Sequence, residues 1–182
     1  MKLLDQIKTK IQSYLLNKQI KERNAEAEFH NLETAKCIHL FFDAKTKENY
    51  LPAKAFISEL KAKNIRIQAI GMTENEEQKA LFLFHQEVRF ICPKETNWLG
   101  KPPKDTLEEL NRQRADIFIN LCAEDCFTGQ YIAAFSDAKF KVSGISKDPV
   151  SDFIIDVSKK KSIPYLIEQT KHFLSTIQKA QL

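Results

Sequence analysis

Asp116-Ile117-Phe118-Ile119-Asn120-Leu121 decides the reading of this chain. β-Branched and aromatic residues dominate it, which suits a pleated strand. Its apolar residues run together instead of alternating, the pattern of a strand covered on both faces of a parallel sheet. Downstream, Phe127 to Ser136 carries Tyr131, Ile132 and Phe135 at helical spacing. Phe140-Lys141-Val142 then returns as a strand ending near Gly144. A strand, a helix and a strand in succession form the unit from which parallel sheets are built.

The same alternation extends outward in both directions. Cys37-Ile38-His39-Leu40-Phe41-Phe42 is a second buried run, and Pro52 is expected to open the helix after it, since proline suits a first helical turn. Ile65-Arg66-Ile67-Gln68-Ala69-Ile70 alternates and is expected to stop at Gly71. Glu74 to Phe84 has helix-forming composition, and Val88-Arg89-Phe90-Ile91-Cys92 follows as a strand ended by Pro93. After the irregular connector Asn97 to Pro103, Asp105 or Thr106 is placed to cap a helix running to about Arg112. Asp152 to Val157 reads as a last strand. Only about eight residues separate it from its predecessor, fewer than the dozen a parallel crossover usually needs, so it is expected to be antiparallel or at the far edge. Pro164 starts a final helix carrying Leu166, Ile167, Thr170, Phe173, Leu174 and Ile177. The expected fold is a three-layer α/β/α Rossmann-like sandwich with a mostly parallel sheet and a helix added at each end.

Composition bounds what such a chain can do. It has 182 residues, 43% hydrophobic and 29% charged, which predicts one α/β domain over residues 1–182, with residues 1–34 as a helical extension and 35–182 as the core. Its 4 glycines fall well below the usual ~7% and argue against glycine-rich phosphate loops. The net charge of +4 is mild and dispersed, and the nearest basic run, Lys159-Lys160-Lys161, reads as a solvated face. No nucleic-acid partner is expected.

Residues 2 to 24 read as one helix with Leu4, Ile7, Ile11, Tyr14 and Leu15 along one stripe and Lys2, Lys8, Lys10, Lys18, Lys21 and Arg23 opposite. Such a helix docks on its own fold or on a second copy more often than on a membrane, so a homo-oligomer through the terminal helices is one expectation. No run approaches the ~18 apolar residues of a transmembrane helix, and none resembles a signal-peptide core. A cytoplasmic location with reduced cysteines is the inference.

In a doubly wound sheet ligands bind beyond the carboxyl ends of the strands, where the strand order reverses. That rule selects Asp43, Thr73, Cys122, Asp125, Cys126 and Thr128, together with Trp98 and Lys101 of the connector, as candidate ligand-binding residues. It also gathers Cys92, Cys122 and Cys126 on one edge. Cys122 and Cys126, spaced C-x3-C at a helix start, read as packed thiols, as thiolate metal ligands with Cys92, or as a nucleophile at Cys126. Trp98 and Lys101 would stack on or charge-pair with a ligand, or else the indole would anchor a rigid cover over the sheet end.

The four histidines, His30, His39, His85 and His172, are scattered without metal-ligand spacing, so no metal and no cofactor is expected. There is no G-x-G-x-x-G, no G-x4-G-K-[ST] and no G-x-S-x-G. The turn Asp43 to Asn49 lacks glycine altogether. These readings favour a non-catalytic module that binds an unidentified small molecule or protein. The alternative is a small transferase or a thiol-dependent enzyme using Cys126 with Asp43 or Asp125.

Trp98-Leu99-Gly100-Lys101-Pro102 and Ala115 to Leu121, followed by Tyr131 to Val142, resemble an uncharacterised bacterial family classed as a domain of unknown function. That resemblance covers most of the chain and implies no activity. The strand, the alanine-rich helical turn and Ala138-Lys139-Phe140-Lys141-Val142 are also similar to the end of the N-terminal half of lipopolysaccharide heptosyltransferases. That likeness implies a lone half without donor-sugar chemistry, because the donor is held largely by a C-terminal half. Fold-level analogy supplies no function of its own.

Overall fold

The computed structural model describes residues 2–23, 26–82 and 87–176. The expected helix end at Asn24, Phe84 and His85 of the expected third helix, and Ile177 lie outside those residues. The strands are β1 (Cys37–Asp43), β2 (Arg66–Met72), β3 (Val88–Ile91), β4 (Ile117–Asn120), β5 (Phe140–Ser143) and β6 (Phe153–Ile154). The helices are α1 (Lys2–Glu22), α2 (Lys47–Ala62), α3 (Glu76–Ala80), α4 (Lys104–Leu110), α5 (Phe127–Phe135) and α6 (Ile163–Thr176). All strands run parallel, in the order β3-β2-β1-β4-β5-β6. This is the three-layer Rossmann-like arrangement read from the sequence.

Successive residues of β1 supply two separate cores. Ile38, Leu40 and Phe42 face α2 and α6, packing with Phe56, Leu60, Leu166 and Leu174. Cys37 and Phe41 face the other side with Phe118, Ile70, Leu107, Tyr131, Ile132 and Leu16. The apolar side of α6 is thus satisfied within the chain. The second half of α1 is likewise held: Gln12 Nε2 donates to the Leu99 carbonyl at 2.7 Å, and Arg23 forks onto both Asp152 oxygens at 2.9 and 3.2 Å.

Five local expectations are corrected. β6 is parallel to β5, although it does lie at the far edge. The connection crosses the sheet as a loop, burying Ile145 and Val150 where a helix would pack, so fewer residues suffice. α2 starts at Lys47, with the Thr46 hydroxyl accepting the Asn49 N–H at 3.3 Å, and Pro52 falls inside it. The carbonyl of Glu48 that loses its partner there belongs to an exposed residue open to water. β2 does not stop at Gly71 but continues to Met72; a Cβ on Gly71 would lie 2.6 Å from the Phe90 ring, so the glycine makes room for packing. α3 is short, capped by Asn75, whose Oδ1 accepts the Gln78 N–H at 2.8 Å. Neither Asp105 nor Thr106 caps α4, which opens after Pro103; Asp105 instead pairs with Arg89 at 2.7 Å, beside Glu109.

One row across the α5-facing side of the sheet is unexpectedly polar. Gln68, His39, Phe118 and Lys141 stand in register on four adjacent strands. His39 is fully buried with Nδ1 3.3 Å from the Ser136 hydroxyl, and burial lowers its pKa to about 4 against the opposing pull of the Gln113 backbone and Gln68. Lys141 is 1% exposed, and burial together with the Arg23 charge lowers its pKa to about 8.

Both shifts disfavour the charged form in the folded chain, so the unfolded chain binds the proton first. Stability is therefore expected to fall as pH drops from about 6.5 toward 4 through His39, and to rise as pH climbs from about 8 toward 10.5 through Lys141. Below pH 8 the full Lys141 penalty, roughly 3 kcal/mol for such a shift, is present. Lys141→Met should stabilise the protein by about 1–3 kcal/mol at pH 7 and flatten the alkaline rise in urea melts.

Candidate functional site

The strand order reverses between β1 and β4, and a crevice of about 460 Å³ opens there at their carboxyl ends. Behind its lining the elements approach closely. Asn120 Oδ1 accepts the Cys122 N–H at 3.1 Å, and the Leu121 N–H reaches the Phe41 carbonyl at 2.8 Å. Gly129, in the first turn of α5, lies so near that a Cβ would meet the Phe41 ring at 2.7 Å and Asn120 Oδ1 at 3.0 Å. Any larger residue would force the start of α5 away from Phe41 and Asn120.

Asp43, Lys45 and Asn49 form one wall. Asp43 ends β1, and its Oδ1 accepts the Lys45 N–H at 2.8 Å while Lys45 Nζ lies 3.9 Å from Oδ2. Cys122 and Cys126 form the opposite wall, with Glu124 and Asp125 exposed at its rim. Lys161, Ser162 and Ile163, where α6 begins, close the third side.

The two thiols differ in environment. The neighbouring Cys126 thiol, together with burial, holds the Cys122 pKa well above the ordinary range. Cys126, only partly buried, is pulled down by its interaction with Cys122, by the Gly129 amide and by the Lys45 ammonium, against burial and Asp43. The resulting asymmetry separates one thiol able to ionise from one that stays protonated.

Of the residues singled out in the sequence, the structure brings Asp43, Cys122, Asp125 and Cys126 together in this crevice. It places the others elsewhere. Thr73 is buried and donates its hydroxyl to carbonyls of Asn75 and Ile91 at 3.2 and 3.1 Å, tying β2 to β3. Lys101 lies over the Tyr131 ring, 5.3 Å from its centroid, and the Thr128 hydroxyl donates to the Gly100 carbonyl at 2.8 Å. The indole of Trp98 anchors nothing: it is 64% exposed, and buried Leu99 holds the connector down instead. Asn97 shapes that turn, its Oδ1 accepting from Leu99 and Lys101 at 3.0 and 2.9 Å, with Gly100 at φ +87°. Cys92 follows β3, three strand spacings or about 14 Å from β4, too far to complete a metal site with Cys122 and Cys126.

Asn49, Lys161 and Ser162 were not anticipated. The Ser162-Ile163-Pro164 triplet carried the signal, a hydroxyl residue just before a proline in the first helical turn. A larger hollow of about 690 Å³ lies at the opposite edge, along Arg66, Gln68 and Thr106. Most of its charge is spent internally, in the Lys61–Glu87 and Arg89–Glu109 pairs.

Cys126 is expected to alkylate with iodoacetamide faster than Cys37, Cys92 or Cys122 in the native protein. Its rate should fall with decreasing pH around a midpoint below that of an ordinary cysteine. Peptide-resolved mass spectrometry of timed reactions checks this, and equal rates for all four thiols would contradict the environment described.

No helix of the described residues is long and apolar enough to cross a membrane. No curated protein and no solved structure matches the chain. The likeness to the heptosyltransferase half rests on the sequence pattern alone. One family model does match, over residues 8–177, which is most of the length and the whole of the crevice, and the chain accordingly belongs to that family of unknown function, DUF6913.

Proposed function

We propose that this chain is a binding module whose ligand is a small anionic molecule held in the crevice between β1 and β4. One observation carries the reading: the first turns of α2 and α6, through Asn49 and Ile163, and Cys126 just before α5 line that crevice, beside Lys45 and Lys161. A helix N-terminus carries roughly half a positive elementary charge, so three directed at one crevice favour an anion even though Thr46 and Ser162 cap individual N–H groups of α2 and α6. Of the acids nearby, Asp43 is engaged by the Lys45 amide, and Glu124 and Asp125 lie out at the rim. The glycine-free turn Asp43–Asn49 keeps backbone back from a diphosphate, which narrows the head group to one carboxylate or phosphate. Among the described residues no histidine lines the crevice, so a nucleophile there has no imidazole base, which favours binding over acyl- or glycosyl-transfer chemistry. Free thiols fit a reducing, cytoplasmic setting.

Calorimetric titration with inorganic phosphate, sugar phosphates and dicarboxylates is expected to give saturable binding that weakens with salt. Lys45→Gln and Lys161→Gln should each weaken it about tenfold, the loss of one charge-assisted contact worth about 1.5 kcal/mol. Binding unchanged in the double variant, or absent for every anion, removes the reading.

A second reading, self-association through α1, is favoured by Leu3 and Leu4 near its start and Tyr14 at its middle, which are 70%, 71% and 68% exposed. Sedimentation equilibrium should then show a concentration-dependent dimer that Leu4→Glu disperses. A monomer at every concentration would end that reading.

A further inference from the structure

The crevice holds chemistry that anion binding does not use. Cys122 is fixed at the end of β4 by its N–H bond to Asn120, and Cys126 immediately precedes α5. Between them the chain bends at Ala123 and Glu124, with Glu124 and Asp125 directed to solvent. The turn brings both residues onto the lining of the same cavity, where each thiol feels the other's charge state. Cys126 is partly exposed there, whereas Cys122 is 5% exposed behind it. Cys37 lies at the amino end of β1, a strand's length from the crevice, and Cys92 beyond β2, so Cys122 is the one thiol within reach of Cys126.

We propose that Cys122 and Cys126 are a peroxide-reactive dithiol that closes to a disulfide along the wall of the crevice. Cys126, as the thiolate, attacks an oxygen of a hydroperoxide. An S–O bond forms, the O–O bond breaks, and the departing alkoxide takes up the proton that Cys126 released. Cys122 then attacks the Cys126 sulfur of the resulting sulfenic acid. The S–S bond forms, the S–O bond breaks, and hydroxide leaves with the Cys122 proton as water. Two electrons pass from the pair to the peroxide, which is reduced to an alcohol and water.

The arrangement suits each step. The α5 N-terminus and the Lys45 ammonium favour the attacking thiolate, and the buried partner stays protonated until it resolves the sulfenic acid. Two thiols four residues apart on one cavity lining are placed for side-chain rotation to bring them to a bond of about 2.05 Å. The ring so closed is short, constrains the unfolded chain little and stays open to reduction. One consequence rests on the anion reading: oxidation removes a thiolate from beside Lys45, so the oxidised protein should bind its anion several-fold more tightly.

The test treats the full reduced chain with hydrogen peroxide and follows intact mass and alkylation of the tryptic peptide 115–139, which carries both cysteines. The expected result is loss of two hydrogens, protection of both thiols in that peptide, and recovery with dithiothreitol. Cys122→Ala should stop at a Cys126 sulfenic acid that dimedone traps, and Cys126→Ala should leave Cys122 unreacted. Thermal melts check that both variants fold, and the wild-type result stands without them. Oxidation of Cys126 onward to sulfinic acid without mass loss, survival of both thiols, or a bond to another cysteine or chain would overturn the proposal. Titration of reduced and oxidised protein with inorganic phosphate keeps the two readings apart. A disulfide without phosphate binding in either form defeats the anion reading alone, and phosphate binding without a disulfide defeats the dithiol alone.

Discussion

Everything in this fold depends on β1 being paired on both edges and covered on both faces. A strand that pairs β2 on one side and β4 on the other, all parallel, must receive crossovers from opposite faces. Its residues are therefore apolar at nearly every position instead of every second one. Divergent crossovers also leave a gap at the carboxyl ends, because α2 departs over one face and α5 over the other. The crevice is thus a geometric consequence of the strand order before any side chain gives it chemistry.

The architecture was legible because its signals are local. A short run of Ile, Phe and Leu cannot easily be half-buried, and helical spacing between such runs leaves few topologies. What misled was punctuation. Pro52 has the chemistry of a helix start, but Thr46 provides a side-chain cap earlier, and an exposed carbonyl tolerates the missing N–H. Gly71 resembles a strand end, yet its role is to yield space to Phe90 from the next strand, a contact between residues far apart in sequence. The direction of β6 escaped a counting rule because the rule assumes a helix in the connection.

The site was only half legible, for a related reason. Asp43, Cys122, Asp125 and Cys126 sit directly after β1 and β4, so a rule about strand ends finds them. Thr73, Trp98, Lys101 and Thr128 satisfy the same rule, but their strand ends lie elsewhere on the sheet or their polar groups are consumed by neighbouring backbone and rings. Lys161 and Ser162 arrive from a helix distant in sequence, and only packing of α6 against α2 brings them to the crevice. The polar row through His39 and Lys141 was hidden because their strand neighbours are apolar, and only register sets the two in one row, on either side of Phe118.

The helix-free connection between β5 and β6 has a consequence for how the molecule meets its own kind. An edge strand exposes a line of N–H and C=O groups that another chain can extend, the step that starts sheet polymerisation. Here that edge is Phe153–Ile154 alone, with Asp152 just before it engaging Arg23 and the Lys141 amide. The chain turns away after Ile155, whose N–H still pairs with the Ser143 carbonyl. An edge this short, guarded by a committed carboxylate, gives an incoming strand almost nothing to register against, so the economy of the loop also protects the sheet from runaway growth at that side.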